Sequence, residues 1–176
     1  GMHVATLQAR QAQLVEEAQA GGPAYAHIDA DTAMNVHTLE AAWRAAGAAV
    51  AATDAVIAGE LENAFCAVRP PGHHAGRGQA MGFCFFNNVA IAARHALDRH
   101  GLSRVAIADF DVHHGNGTED IVAGDERILM VSIFQQGLYP FNGETPLGPN
   151  MVNVPVPAYT RGMAVRELID MEWMPR

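Results

Sequence analysis

Two short stretches gather the side chains best able to do chemistry near neutral pH. One is the tandem His73-His74 after Arg69-Pro70-Pro71-Gly72, and the other is Asp109-Phe110-Asp111-Val112-His113-His114-Gly115. Asp111 and His113 alternate with Val112, so in an extended chain both point to one side and can reach a single cation. Carboxylate oxygen and imidazole nitrogen suit a catalytic zinc or a related divalent metal, and fewer than four protein ligands leave room for water. Imidazole is also the natural general base at this pH, which makes His73 and His74 proton-transfer candidates. Taken alone, an Asp-x-His pair reads more readily as a hydrogen-bonded loop. The chemical reading gains weight because Asp109, Asp111, His113 and His114 fall directly after an apolar run, where burial without pairing or metal is costly.

The surrounding sequence must build elements that position these loops. His3 to Ala20 reads as a helix stopped by Gly21-Gly22-Pro23. Thr38 is placed to cap a long Ala-rich helix whose Leu39, Trp43, Ala46, Val50 and Ile57 form a face expected to pack on a sheet. Three apolar runs read as strands: Phe65–Val68, Val105–Ala108 and Ile128–Ile133. Between the first two, Asn87-Asn88 can cap a helix through Leu97, with Gly101 as its left-handed terminator. A helical turn follows Thr118. Strand, helix, strand, helix, strand implies an α/β fold with a mainly parallel sheet. Ligands in such folds gather beyond the carboxyl ends of the strands, where His73-His74, the Asp109–His114 loop and the loop after Ile133 would all emerge.

Composition sets the wider bounds. With 176 residues, 49% of them apolar, the chain reads as one domain over residues 1–176. Eleven basic against 19 acidic residues give a net charge of −8 with Arg scattered singly, which argues against direct nucleic-acid binding. An acidic surface is compatible with a cationic substrate such as a lysine-bearing peptide or a polyamine, but such a balance is more often a solubility feature. Cys66 and Cys84 alone make a poor disulfide framework, and the expected setting is reducing and cytoplasmic. No apolar run is long enough to cross a bilayer, so no membrane role is expected. Gly1 ahead of Met2 reads as an added residue without functional weight.

Three blocks carry a specific resemblance: Arg69-Pro-Pro-Gly-His-His-Ala75, Gly82-Phe-Cys-Phe-Phe-Asn-Asn88 and Asp109-Phe-Asp-Val-His-His-Gly-Asn-Gly-Thr118. Together, and in this order, they resemble the histone-deacetylase superfamily. Weaker similarity runs from Asp29-Ala-Asp31-Thr32 to Asn153-Val-Pro-Val156. Asn116 makes the chain more similar to the class II and bacterial acetylpolyamine-amidohydrolase-like branches. The resemblance implies a three-layer α/β/α fold of the arginase/deacetylase type and a zinc-dependent hydrolase that removes an acyl group, chiefly acetyl, from a lysine-like or polyamine amide. Asp111 and His113 would bind Zn2+. His73 and His74 would act on the water, with Asp109 orienting His73 and Asn116 holding His74. Gly82, Phe83 and Tyr139 would line a narrow substrate tunnel, and K+ would sit near Asp109, Asp111, His113, Ser132 and Ile133.

The family's third metal ligand, an Asp in a Gly-Phe-Asp-like block, and its oxyanion Tyr in a Gly-Gly-Tyr-like block have no counterpart in this sequence. The expectation is therefore a partial domain, truncated at both ends, poorly active alone, and prone to self-association through an open sheet edge or uncovered apolar surface. The alternative is a folded, non-catalytic remnant that binds a ligand or partner. An arginase-like pair of manganese ions is disfavoured by the tandem histidines. A Cys84 nucleophile is disfavoured by its apolar flanks, which suit an unreactive thiol.

Overall fold

The computed structural model describes residues 2–176; Gly1 lies outside the described residues. Helix α1 spans Met2–Gln19, strands β1 (Tyr25–His27) and β2 (Ala33–Asn35) form an antiparallel hairpin, and helix α2 spans Thr38–Ile57. Helix α3 (Asn88–Asp98), strand β3 (Val105–Asp109), helix α4 (Asn116–Val122) and strand β4 (Ile128–Gln135) follow. Strand β5 (Met151–Val156), helix α5 (Gly162–Leu168) and a π-helical segment over Ile169–Trp173 complete the chain.

β3, β4 and β5 form a parallel sheet in that spatial order. Register places Ile107, Met130 and Met151 side by side, and these pack with Ala90, Ala93 and Leu97 of α3 and Val122 of α4. Residues of opposite parity, Ile133, Val154 and Val156, pack with Val165, Leu168 and Trp173. One face is thus covered by α3 and α4 and the other by the C-terminal helical segment, which gives the layers α/β/α. A third cluster joins Leu7 and Leu14 of α1, Leu39, Ala42 and Ala46 of α2, and Phe85 and Phe86.

Several expectations need correction. Phe65–Val68 is not a strand: the Val68 N–H bonds back to the Cys66 carbonyl at 3.0 Å and Phe65 is 93% exposed. A strand requires a neighbour; among the described residues this run pairs with none, and β3 bonds only to β4. A groove of about 450 Å³, lined by Ala64, Val89, Ala93 and Ala106 among others, lies along the outer side of β3. The apolar face of α2 packs on α1, the Phe85-Phe86 segment and the small β1–β2 sheet rather than on the parallel sheet. Thr38 is the first helical residue, not the cap; its hydroxyl accepts from the Asn35 N–H at 2.9 Å. β5 and the β1–β2 hairpin carry no strand pattern that stood out in the sequence.

The ends of α3 match their expected chemistry. Asn87 is the N-cap, accepting from the Ala90 N–H at 3.1 Å. Gly101, at φ 70°, lets its N–H reach the Leu97 carbonyl while Leu102 N–H reaches Ala96. The Asn87 amide also donates to the Ala75 carbonyl and to Thr118 Oγ1, each at 3.0 Å, so the cap ties the helix to both chemical loops. Replacing Asn87 with Ala removes the cap and strands a buried carbonyl. The expected loss is about 2–3 kcal/mol of unfolding free energy, read from the urea midpoint at unchanged m-value.

Candidate active site

β3 ends at Asp109, and the chain beyond it bends back on its own carboxylates. Asp109 Oδ1 accepts the Asp111 N–H at 3.1 Å, and Asp111 Oδ1 accepts the His113 N–H at 2.8 Å. These turns send Asp111 and His113 outward and His114 inward: His113 is partly exposed, whereas His114 is buried.

His114 meets Glu119 of α4, Nε2 to Oε2 at 2.8 Å, with side-chain exposures of 0% and 4%. Its Nδ1 lies 3.3 Å from Ser132 Oγ. Glu119 Oε1 also accepts from Asn153 Nδ2 at 2.8 Å and from the Leu147 N–H at 3.1 Å. Burial pushes the Glu119 carboxyl towards its neutral form, but the His114, Asn153 and Leu147 hydrogen bonds outweigh it and hold the pKa below the ordinary value. Asp109, Ser132 and Asn153 are register partners across β3, β4 and β5. This polar row closes the apolar core of the sheet at its carboxyl end.

The His73-His74 loop lies over that row. His73 Nδ1 bonds Asp109 Oδ2 at 2.9 Å, and His74 Nδ1 bonds Asn116 Oδ1 at 2.8 Å. The two rings are 4.0 Å apart, centroid to centroid. Burial opposes protonation of His73, yet the Asp109 hydrogen bond and the charges of Asp109 and Asp111 raise its pKa overall. His74 is driven down to about 4 by burial and then by the positive charge of His73, against the weaker help of Asn116. The two adjacent histidines are therefore pushed apart in proton affinity, His73 upward by its carboxylate partner and His74 downward by burial and the charge of His73.

Asp111 Oδ1 and His113 Nδ1 are 3.0 Å apart. Ligands held about 2.0 Å from a tetrahedral zinc stand roughly 3.3 Å from one another, so the pair fits an edge of such a site. No third ligand-type side chain converges with them among the described residues. Tyr139 packs edge-on against His74 at 5.0 Å and near His113 at 6.3 Å; burial first, then the Asp31 and Asp29 charges, push its phenol up to about 12. Phe83 is at φ 66° and 58% exposed, with its N–H bonded to Thr32 Oγ1 at 3.0 Å. Gly82 lies against the His74 ring. Ser132 sits beside Asp109 in the sheet with Ile133 next along β4. Cys84 is buried, which pushes its thiol up to about 11, out of reach of nucleophile chemistry at neutral pH.

Glycine is required at two close approaches. A Cβ on Gly117 would collide with the backbone of His74 and Ala75, and one on Gly115 with Asp109 Oδ2. Neither Thr32 nor Glu119 stood out in the sequence as a part of this site. Thr32 reaches Phe83, and Glu119 reaches Leu147 and Asn153, across long sequence gaps; the local signal for Glu119 was an acidic residue opening a helix five residues after His114.

Because the folded-state pKa of Glu119 is depressed, its stabilising contribution is full above the unfolded pKa and declines as pH falls through the folded value. Glu119→Gln should flatten the loss of stability below about pH 4.5. Glu119→Ala should cost about 3 kcal/mol at pH 7 by leaving His114 buried without its partner. Thermal denaturation from pH 3 to pH 8 checks both.

The histone deacetylase domain model matches residues 2–176. A histone deacetylase-like amidohydrolase of Pseudomonas aeruginosa is 45% identical over 133 residues, covering 72% of this chain and 35% of the relative. Histone deacetylase 14, chloroplastic, of Arabidopsis thaliana is 40% identical over 167 residues, covering 89% of this chain and 40% of the relative. Among solved structures, an acetylpolyamine aminohydrolase from Burkholderia pseudomallei superposes with a TM-score of 0.74 at 37% identity, covering 81% of this chain and 44% of the other. The chain thus spans less than half the length of each of these three relatives. With a matching domain model, related sequences and a shared α/β/α framework, the chain belongs to the histone deacetylase family of deacetylases and amidohydrolases.

Proposed function

We propose that these loops form the water-activating half of a metal-dependent deacylase site that acts on acetylated lysine-like or polyamine amides. The observation that carries this reading is the asymmetric pair: His73 on a carboxylate and His74 on an amide, 4.0 Å apart. A divalent ion such as zinc, held by Asp111 and His113, would supply polarisation of the acyl carbonyl and acidification of the attacking water.

The chain's own residues handle the protons. Asn116 Oδ1 accepts from His74 Nδ1, which leaves the Nε2 lone pair free to take a proton from water and return it to the departing amine. His73, whose hold on a proton is strengthened by Asp109, would when protonated place positive charge where negative charge develops on the carbonyl oxygen. Phe83 and Tyr139 flank the entry as apolar walls for an acylated side chain. The net charge of −8 favours a substrate carrying a further cation, as lysine peptides and polyamines do. K+ near Asp109 and Ser132 belongs to the same proposal, as does association through the free edge of β3.

Two ligands bind zinc less firmly than three, so low turnover is expected from this chain alone. Acetate release from acetyl-lysine peptide and N-acetylputrescine, in excess zinc, should rise sharply in a chimera that supplies the part of a relative's domain that this chain does not span. In that chimera His74→Ala should lower kcat by about 10²–10⁴. An unchanged rate after His74→Ala would refute the proton-transfer role, and zinc uptake undiminished in Asp111→Ala would refute the ligand assignment.

A further inference from the structure

Away from the strand-end loops, Asp54, His95 and His100 present ligand atoms that all lie within 4.8 Å of one another. Asp54 stands in the last turn of α2 and His95 in the last turn of α3. His100 follows α3 directly before Gly101, where the left-handed turn redirects the chain. Both imidazoles direct Nε2 at the same atom, Asp54 Oδ1, each at 2.6 Å. Their rings are 5.1 Å apart and nearly perpendicular. All three side chains are partly open to solvent, at 49%, 23% and 24% for Asp54, His95 and His100.

Asp54 Oδ1 can accept an N–H from each ring, so the cluster is satisfied without an ion. The same three ligand atoms also converge closely enough for a divalent ion to take both nitrogen lone pairs and the carboxylate charge together. We infer that Asp54, His95 and His100 form a second metal site, selective for transition ions of the zinc, cobalt and nickel class, which staples α2 to α3. Two imidazoles and one carboxylate match the known preferences of those ions and leave a position for water. Seating the ion requires the carboxylate oxygen to retreat from 2.6 Å towards the roughly 3.3 Å separation of tetrahedral ligands. The exposed Asp54 side chain is free to make that shift.

This site is separate from the proposed catalytic one. Asn87, which caps α3, bonds the Ala75 carbonyl of the histidine loop, while His95 lies eight residues further on, roughly 12 Å along the helix axis. Its role would be structural, joining two helices where neither is held by the sheet-end polar row.

Equilibrium dialysis and thermal denaturation with zinc chloride test the inference. Zinc at about 100 times its Kd should raise Tm by roughly 5–10 °C. The rise and its bound equivalent should survive His113→Ala and disappear in His100→Ala and Asp54→Asn. Diethyl pyrocarbonate labelling of the unmutated chain supplies a readout that needs no variant: zinc should protect His95 and His100. Equal stabilisation of the unmutated and His100→Ala proteins, or unprotected His95 and His100 at saturating zinc, would overturn the proposal and leave a carboxylate-bridged histidine pair.

Discussion

The buried His114–Glu119 pair is the contact on which the geometry of the site rests. At side-chain exposures of 0% and 4%, neither group can relax into water, and each is costly to leave without the other. His114 must therefore point into the sheet. The backbone turns closed on the Asp109 and Asp111 carboxylates then leave Asp111 and His113 facing out. The pair also fastens the start of α4 to the strand-end loop, which places Asn116 behind His74. An internal hydrogen-bonded pair thus sets the direction of groups that it never touches.

The sheet register explains why the pair is tolerated. The apolar row Ile107, Met130, Met151 is followed two residues on by Asp109, Ser132 and Asn153. Ser132 lies by His114, Asn153 donates to Glu119, and Asp109 takes His73. One step along three parallel strands converts hydrophobic core into a hydrogen-bonding platform. Parallel strands make this conversion efficient, because their carboxyl ends all arrive on the same side.

The parts of the site that are contiguous in sequence were legible there. His73-His74 and Asp109–His114 announce themselves by density of ionisable groups, and the Asn87 cap and Gly101 terminator by residue type and spacing. What sequence could not supply was pairing. Phe65–Val68 has strand composition, but a strand exists only against a neighbour, and that run bends at Cys66 instead. β5 went unmarked because Asn153 and Pro155 interrupt its apolar pattern; both fit because β5 is an edge strand whose Asn serves Glu119. The face of α2 was visible, yet its partners, α1, the β1–β2 hairpin and the Phe85-Phe86 segment, were not implied by periodicity. Thr32 reaches Phe83 and Glu119 reaches Asn153 across gaps that no local pattern encodes.

The close approaches at Gly115 and Gly117 give the site a second kind of sequence constraint. In a saturation map of this chain, positions with no side chain at all would stand out beside the histidines as intolerant. Substitution there would leave each reactive group intact but move it, through Asp109 or through the His74 backbone. The chemistry is thus protected as much by what the loop lacks as by what it carries, and that empty space is inherited only when both loops are inherited together.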